Sequence, residues 1–136
     1  MCMNKNAVVL VIDDCQDNLL LMELILISEG YRVETACNGK SGLAKVNELC
    51  PDLIILDMMM PDMSGLEVMD SIKTDGKLSE IPILLCTANQ YICKENAGEA
   101  NDICYKPFDI NEMLVKIDSL SPCRKSVKVA PQLTIS

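Results

Sequence analysis

The 136-residue chain is predicted to fold as an α/β domain, a doubly wound parallel sheet of five strands with five helices. Three observations predict this. Short apolar runs recur along the chain, and most of them end on a polar or charged residue. Segments of helical length lie between them and stop at Gly or Pro. The strongest runs are apolar at every position, so they lack a solvated face, as strands covered on both sides do.

Ala7 to Ile12 (AVVLVI) is the first such run and ends on Asp13 and Asp14. A first helix is expected over Gln16 to Ser28, stopped by Gly30. Tyr31 to Ala36 (YRVETA) alternates and reads as the second strand. Asn38-Gly39 opens a second helix, to about Leu49, before Pro51. Leu53 to Leu56 is a strand apolar on both faces and ends on Asp57. After a loop holding Met58 to Met60 and Pro61, Ser64 and Glu67 have the spacing of a reciprocal capping box. They start a third helix, to about Thr74. Asp75-Gly76 marks a turn, and Pro82 leads the fourth strand, Ile83 to Cys86, which ends on Thr87. A short fourth helix is expected over Gln90 to Ala97, stopped by Gly98. The fifth strand, about Asp102 to Tyr105, ends on Lys106-Pro107. Asp109 caps the fifth helix, with Glu112 three residues on, running to about Leu120. Residues 1–120 thus form the domain. Residues 121–136 are read as a basic, mobile tail without strong periodicity. Strands alternating with helices, short connections and right-handed crossovers favour the flavodoxin-like strand order 2-1-3-4-5.

Composition bounds the function. Formal net charge is −8, which argues against a nucleic-acid partner. Arg124, Lys125 and Lys128 make the tail +3, so the remainder is −11. With one Phe, three Tyr and no Trp, the core must be built from aliphatic residues, Met and Cys. The eight Cys show no CxxC spacing and there is no His. They read as reduced thiols packing as small hydrophobes, Cys86 and Cys104 inside strands, rather than as a metal or disulfide framework. MCMNKN lacks the apolar stretch of a signal peptide. The apolar cluster Leu19 to Ile27 is too short to span a bilayer, so no membrane insertion is expected and a cytoplasmic location is.

The strand ends carry the chemistry. In the order 2-1-3-4-5 the first and third strands are neighbours, so Asp13, Asp14 and Asp57 converge. Two carboxylates about 4 Å apart repel by about 4 kcal/mol at an effective dielectric of 20, and something must offset that. A hard divalent cation does so, and Mg²⁺ takes one or two carboxylates together with waters and a phosphate oxygen. Lys106 adds a point charge and Thr87 a hydroxyl. Singly, each has an ordinary explanation: Asp14 as a cap of the first helix, Thr87 as a turn residue, Lys106 as a solvated charge. Together at one sheet edge they suit a carboxylate that accepts a phosphoryl group.

VIDD at 11–14, LIILDMMMPDMSG at 53–65, LLCTAN at 84–89 and YKPF at 105–108 resemble the receiver domains of two-component response regulators, over about Ala7 to Leu120. The resemblance implies that Asp57 is the phosphoacceptor. It implies that Asp13, Asp14, Asp57 and the backbone carbonyl of Met59 hold Mg²⁺, and that Thr87 and Lys106 bind the phosphoryl group. A cis Lys106-Pro107 bond is implied too. The phosphodonor would be a histidine kinase or a histidine phosphotransfer protein, docking on the first helix. A downstream protein target would read strand 4, helix 4, strand 5 and helix 5. The chain is then expected to be no enzyme beyond its own phosphorylation and dephosphorylation.

One position departs from the family. Receivers usually carry Tyr or Phe three residues before the lysine, and here that residue is Ile103. Alternation turns Tyr105 to the same side as Ile103. A weakened or differently built switch is expected, with Ile103 packing and Thr87 moving alone. Met59 and Asn89 stand where the family tunes loss of the phosphoryl group, and apolar Met59 predicts slow autodephosphorylation. With some sixteen residues after the fifth helix, a stand-alone receiver is expected, acting by docking or in a phosphorelay. LLLMELILI (19–27) has more apolar residues than one buried face requires, which fits either unusual coverage or an exposed docking patch.

The alternative is a degenerate receiver that binds partners without phosphorylation; only Ile103 favours it. A nucleotide enzyme is disfavoured because no GxxxxGK[ST] or GxGxxG follows the first strand. A phosphatase of the haloacid-dehalogenase type wants a second Asp two residues after the nucleophile, and position 59 is Met. A redox sensor would need its Cys set to respond to oxidant. Kinase, target and oligomeric state are not legible.

Overall fold

Nine elements follow one another along residues 7–121, the stretch that the computed structural model describes: β1 (Val8–Ile12), α1 (Gln16–Ser28), β2 (Arg32–Ala36), α2 (Gly39–Leu49), β3 (Leu53–Asp57), α3 (Gly65–Lys73), β4 (Ile83–Thr87), β5 (Asp102–Tyr105) and α4 (Ile110–Leu120). All strand pairs are parallel, in the order β2-β1-β3-β4-β5, as predicted.

Strand alternation explains the doubly apolar runs. Val9, Val11, Leu53, Ile55, Leu84, Cys86 and Cys104 face α1 and α4, packing with Leu19, Met22, Leu26, Met113 and Ile117. Leu10, Ile12, Ile54, Leu56, Ile83, Leu85 and Ile103 face the other layer, with Val46 of α2 and Val68, Met69 and Ile72 of α3. Among the described residues Cys15, Cys37, Cys50, Cys86, Cys93 and Cys104 are free thiols, and Cys86 and Cys104 are buried within their strands. Among the described residues no helix is long and apolar enough to cross a membrane.

Three helix starts follow their sequence signals. Asn38 accepts from Ser41 N at 2.8 Å. Ser64 Oγ accepts from Glu67 N at 3.1 Å while Glu67 Oε1 accepts from Ser64 N at 2.9 Å, the full capping box. Asp109 accepts from Glu112 N at 3.1 Å. The ordinary explanation of Asp14, as a cap of the first helix, does not apply, because Cys15 holds the cap position and makes no side-chain cap bond. The second strand begins at Arg32 rather than Tyr31, since Tyr31 N still closes onto Leu26 O at the end of α1.

The larger correction concerns the helix expected over Gln90 to Ala97. The described residues form four helices, not five, and β4 connects to β5 through turns. Short polar side chains compete with the helical ladder there. Asn89 Oδ1 accepts from Tyr91 N at 2.9 Å, Asn96 Oδ1 accepts from Cys93 N at 2.7 Å, and Asn96 Nδ2 donates to Tyr91 O at 3.0 Å. The carbonyl of Ile92, which a helix would offer to Asn96 N, accepts instead from Tyr105 Oη at 2.5 Å. Gly98 has φ +65° and supports the turn, not a helix stop. The expected tail, apart from Ser121, lies outside the described residues.

Candidate functional site

The strand order brings the predicted residues to one edge. β1 and β3 are adjacent, with Ile12 beside Leu56, so the residues that follow, Asp13 and Asp57, face one another across the strand ends. Carboxylate oxygens of Asp13, Asp14 and Asp57 all lie within 4.8 Å of one another. Asp13 is 4% and Asp57 5% exposed, while Asp14 is exposed. Lys106, at the end of β5, reaches across β4: its Nζ lies 3.0 Å from Asp57 Oδ1 and 3.4 Å from Asp13 Oδ2. Thr87 is buried at the end of β4, and its Oγ1 accepts from Asn89 N at 3.0 Å.

Electrostatics follow from this crowding. Burial, reinforced by the charges of Asp13 and Asp14, pushes the Asp57 carboxyl up to about 6 even though the bond from Lys106 pulls it down. Burial lowers the Lys106 ammonium, but the Asp57 hydrogen bond and the charge of Asp13 outweigh it and hold lysine above its ordinary value. One ammonium therefore does not neutralise three carboxylates. A cluster of hard oxygens with surplus negative charge and one exposed member fits a divalent cation of the Mg²⁺ type, which would be held by Asp13, Asp14 and Asp57.

Two features of the site were not legible in the sequence. Asn18, one turn into α1, donates to Asp13 Oδ2 at 3.3 Å, while Asp13 Oδ1 accepts from Cys15 N at 2.9 Å. Together they orient the carboxylate, and the short spacing from Asp13 was the available signal. Asp62 accepts from Gly39 N and Lys40 N, each at 3.0 Å, at the start of α2. Those two backbone donors hold its carboxyl below the ordinary value, and they pin the loop after Asp57 to the neighbouring helix. Gly65 is required by close approach. A Cβ there would stand 2.5 Å from Asp57 O and 2.8 Å from Met58 Cα, and Gly65 N donates to Met58 O at 2.7 Å.

The family's aromatic position behaves as expected. Ile103 is 4% exposed and packs in the core, and Tyr105 lies on the same side, in register with Thr87. The Lys106-Pro107 bond is cis, as the resemblance implies. Met59, two residues after Asp57, is 70% exposed.

Known proteins resemble this chain in sequence and fold. The family described as response regulator receiver domain matches residues 9–118. The DNA-binding dual master transcriptional regulator RpaA of Synechocystis is 36% identical over 115 residues, covering 82% of this chain and 48% of that protein. The curated relatives are thus longer, and this chain spans about half of RpaA and 26% of the response regulator PleD of Caulobacter vibrioides. Among solved structures, the chemotaxis response regulator CheY4 of Vibrio cholerae is similar at TM-score 0.78 and 31% identity, covering 84% of this chain and 98% of that one. The response regulator TrrA of Thermotoga maritima, solved in complex with Mg²⁺–BeF, is similar at TM-score 0.77 and 34% identity, covering 85% and 99%. Receiver domains of this kind are phosphoacceptors that work with histidine kinases or phosphotransfer proteins and bind Mg²⁺ at an acidic site. By its match over nearly the whole described length, this chain belongs to the response regulator receiver domain family.

Proposed function

We propose that the chain accepts a phosphoryl group on Asp57 from a histidine kinase or a histidine phosphotransfer protein, with Mg²⁺, and signals by phosphorylation-dependent docking or phosphorelay. The observation that carries this is the cluster of three carboxylates within 4.8 Å with Lys106 Nζ 3.0 Å from Asp57. Among the described residues this is the one group of three such side chains placed to share a cation.

The residues divide the work. An Asp57 oxygen attacks phosphorus in line with the leaving imidazole nitrogen, forming the acyl phosphate as the P–N bond breaks. Asp13, Asp14, Asp57 and the Met59 carbonyl would hold Mg²⁺, which would supply charge neutralisation for the transferring oxygens. Lys106 neutralises another of these oxygens. Thr87 donates its hydroxyl to the phosphoryl group, while its Oγ1 accepts from Asn89 N, so a reorientation of this side chain is passed to the start of the β4–β5 connection. α1, whose first turn adjoins Asp13, is the donor-facing helix. β4, β5, α4 and the connection between the two strands form the face a target reads.

Intact mass after incubation with acetyl phosphate tests this. A Mg²⁺-dependent gain of one phosphoryl group, absent in Asp57→Asn, is the expected result. No gain in the wild type would favour a phosphorylation-independent binding module, the reading to which buried Ile103 lends its one observation.

A further inference from the structure

Phosphoryl transfer at Asp57 leaves two buried thiols unused. Cys86 in β4 and Cys104 in β5 are direct partners in the parallel register of those strands. Both side chains turn to the same sheet face, into the layer packed on α1 and α4. They are 2% and 3% exposed. Partner positions on neighbouring strands lie about 4.8 Å apart, inside the roughly 4.4–6.8 Å that separates the Cα atoms of a disulfide. The two backbones therefore already stand at bonding separation. Filling the layer asks only for an aliphatic group at each place, not for sulfur opposite sulfur.

The two sulfurs are not equivalent. The Cys86 thiol donates to the Cys104 sulfur. That hydrogen bond, helped by the Lys116 ammonium, holds the Cys104 thiol below its ordinary value in spite of burial. Cys104 is thus the better nucleophile, because the thiolate is the reactive form. It is also easier to reach. β5 has four residues and stands at the edge of the sheet, with β4 as its one neighbour. Opening an edge strand breaks one ladder rather than two, so a small oxidant meets Cys104 before it meets Cys86 in the interior strand.

We infer that Cys86 and Cys104 form a dithiol that an oxidant of the peroxide class closes into a cross-strand disulfide. The Cys104 thiolate attacks one oxygen of hydrogen peroxide. The O–O bond breaks, the departing hydroxide takes up the proton that Cys104 released, and Cys104 is left as a sulfenic acid. The Cys86 sulfur then attacks the Cys104 sulfur, the S–O bond breaks, and hydroxide leaves as water with the Cys86 proton. Two thiols lose two electrons, and one peroxide becomes two waters. The new bond encloses residues 87–103 in a ring and ties β5 to β4 one residue before Thr87 and two before Lys106. The consequence, that oxidation restrains the two side chains that bind the phosphoryl group, rests on the function proposed above; the bond itself does not.

Cysteine mapping of the full chain tests this. The reduced, folded protein is treated with hydrogen peroxide, quenched, unfolded, alkylated with N-ethylmaleimide and digested. The expected products are a linked peptide pair joining Cys86 to Cys104 and an at least tenfold loss of alkylation at both positions, which dithiothreitol reverses. In Cys86→Ala the sulfenic acid on Cys104 persists and is trapped by dimedone, whereas in Cys104→Ala the Cys86 thiol stays alkylatable. The wild-type map decides the matter even where a variant fails to fold. Full alkylation of both residues at a peroxide dose that consumes the exposed Cys15, Cys37 and Cys50 would overturn the inference. So would a link from either residue to a different cysteine, or a link between two chains. The readout is at sulfur, so its failure leaves the phosphoacceptor reading intact, and failure of that reading leaves the map standing.

Discussion

Asp57→Asn should stabilise the metal-free protein, and the size of the effect can be worked from the site. Asp57 titrates near 3.8 when unfolded and at about 6 when folded, because burial and the charges of Asp13 and Asp14 outweigh the bond from Lys106. A carboxyl whose folded value is raised favours folding in its neutral form. Its ionisation therefore withdraws stability as pH rises from 3.8 through about 6, and the loss is complete above that. At 1.36 kcal/mol per pH unit the loss is about 3 kcal/mol. Asn resembles the neutral acid in shape and does not ionise. The variant and the wild type should thus be nearly equal at pH 4 and diverge to about 3 kcal/mol by pH 7.5, roughly 10 °C in Tm for a domain of this size. Urea unfolding in the presence of a chelator, repeated from pH 4 to 8, measures this. Millimolar Mg²⁺ should shrink the difference, because it binds the folded wild type and not the unfolded chain. A difference that is absent at pH 7.5, or the same at pH 4 and 7.5, would refute the reasoning, since it would mean that the three carboxylates are not in electrostatic conflict.

Three further outcomes are expected. Gly65→Ala should destabilise by about 1–3 kcal/mol and slow phosphorylation by acetyl phosphate, because its Cβ would press on the backbone of Asp57 and Met58; urea unfolding and intact mass read the two effects. Tyr105→Phe removes the bond to Ile92 O and should cost about 1 kcal/mol, with faster hydrogen exchange confined to amides 91–100. Met59→Asn should speed loss of the phosphoryl group by replacing an exposed apolar side chain two residues after Asp57 with one that can position water; unchanged decay of the phosphorylated mass would count against a shielding role for Met59.

The sequence alone determined the parallel sheet. Runs apolar at every position, such as Leu53 to Leu56, have no place except between two covering layers, and the structure puts their odd and even residues into separate cores. That Asp13, Asp14, Asp57 and Lys106 would meet was equally legible, because each lies at or just past the end of a strand and strand order alone brings such residues together. Capping signals at Asn38, Ser64 and Asp109 held because they are local, made within four residues of one another. What failed was the helix over Gln90 to Ala97. Its composition permits a helix, but the asparagine side chains and Tyr105, thirteen residues away, take the backbone groups a helix needs. Tertiary structure also decided the charge state of the site. How far Asp57 rises depends on its burial and on how near Lys106 comes, and neither distance nor exposure is written in a motif. The strap from Asp62 to the start of α2 and the need for Gly65 belong to the same class, for each joins elements that only the folded chain places side by side.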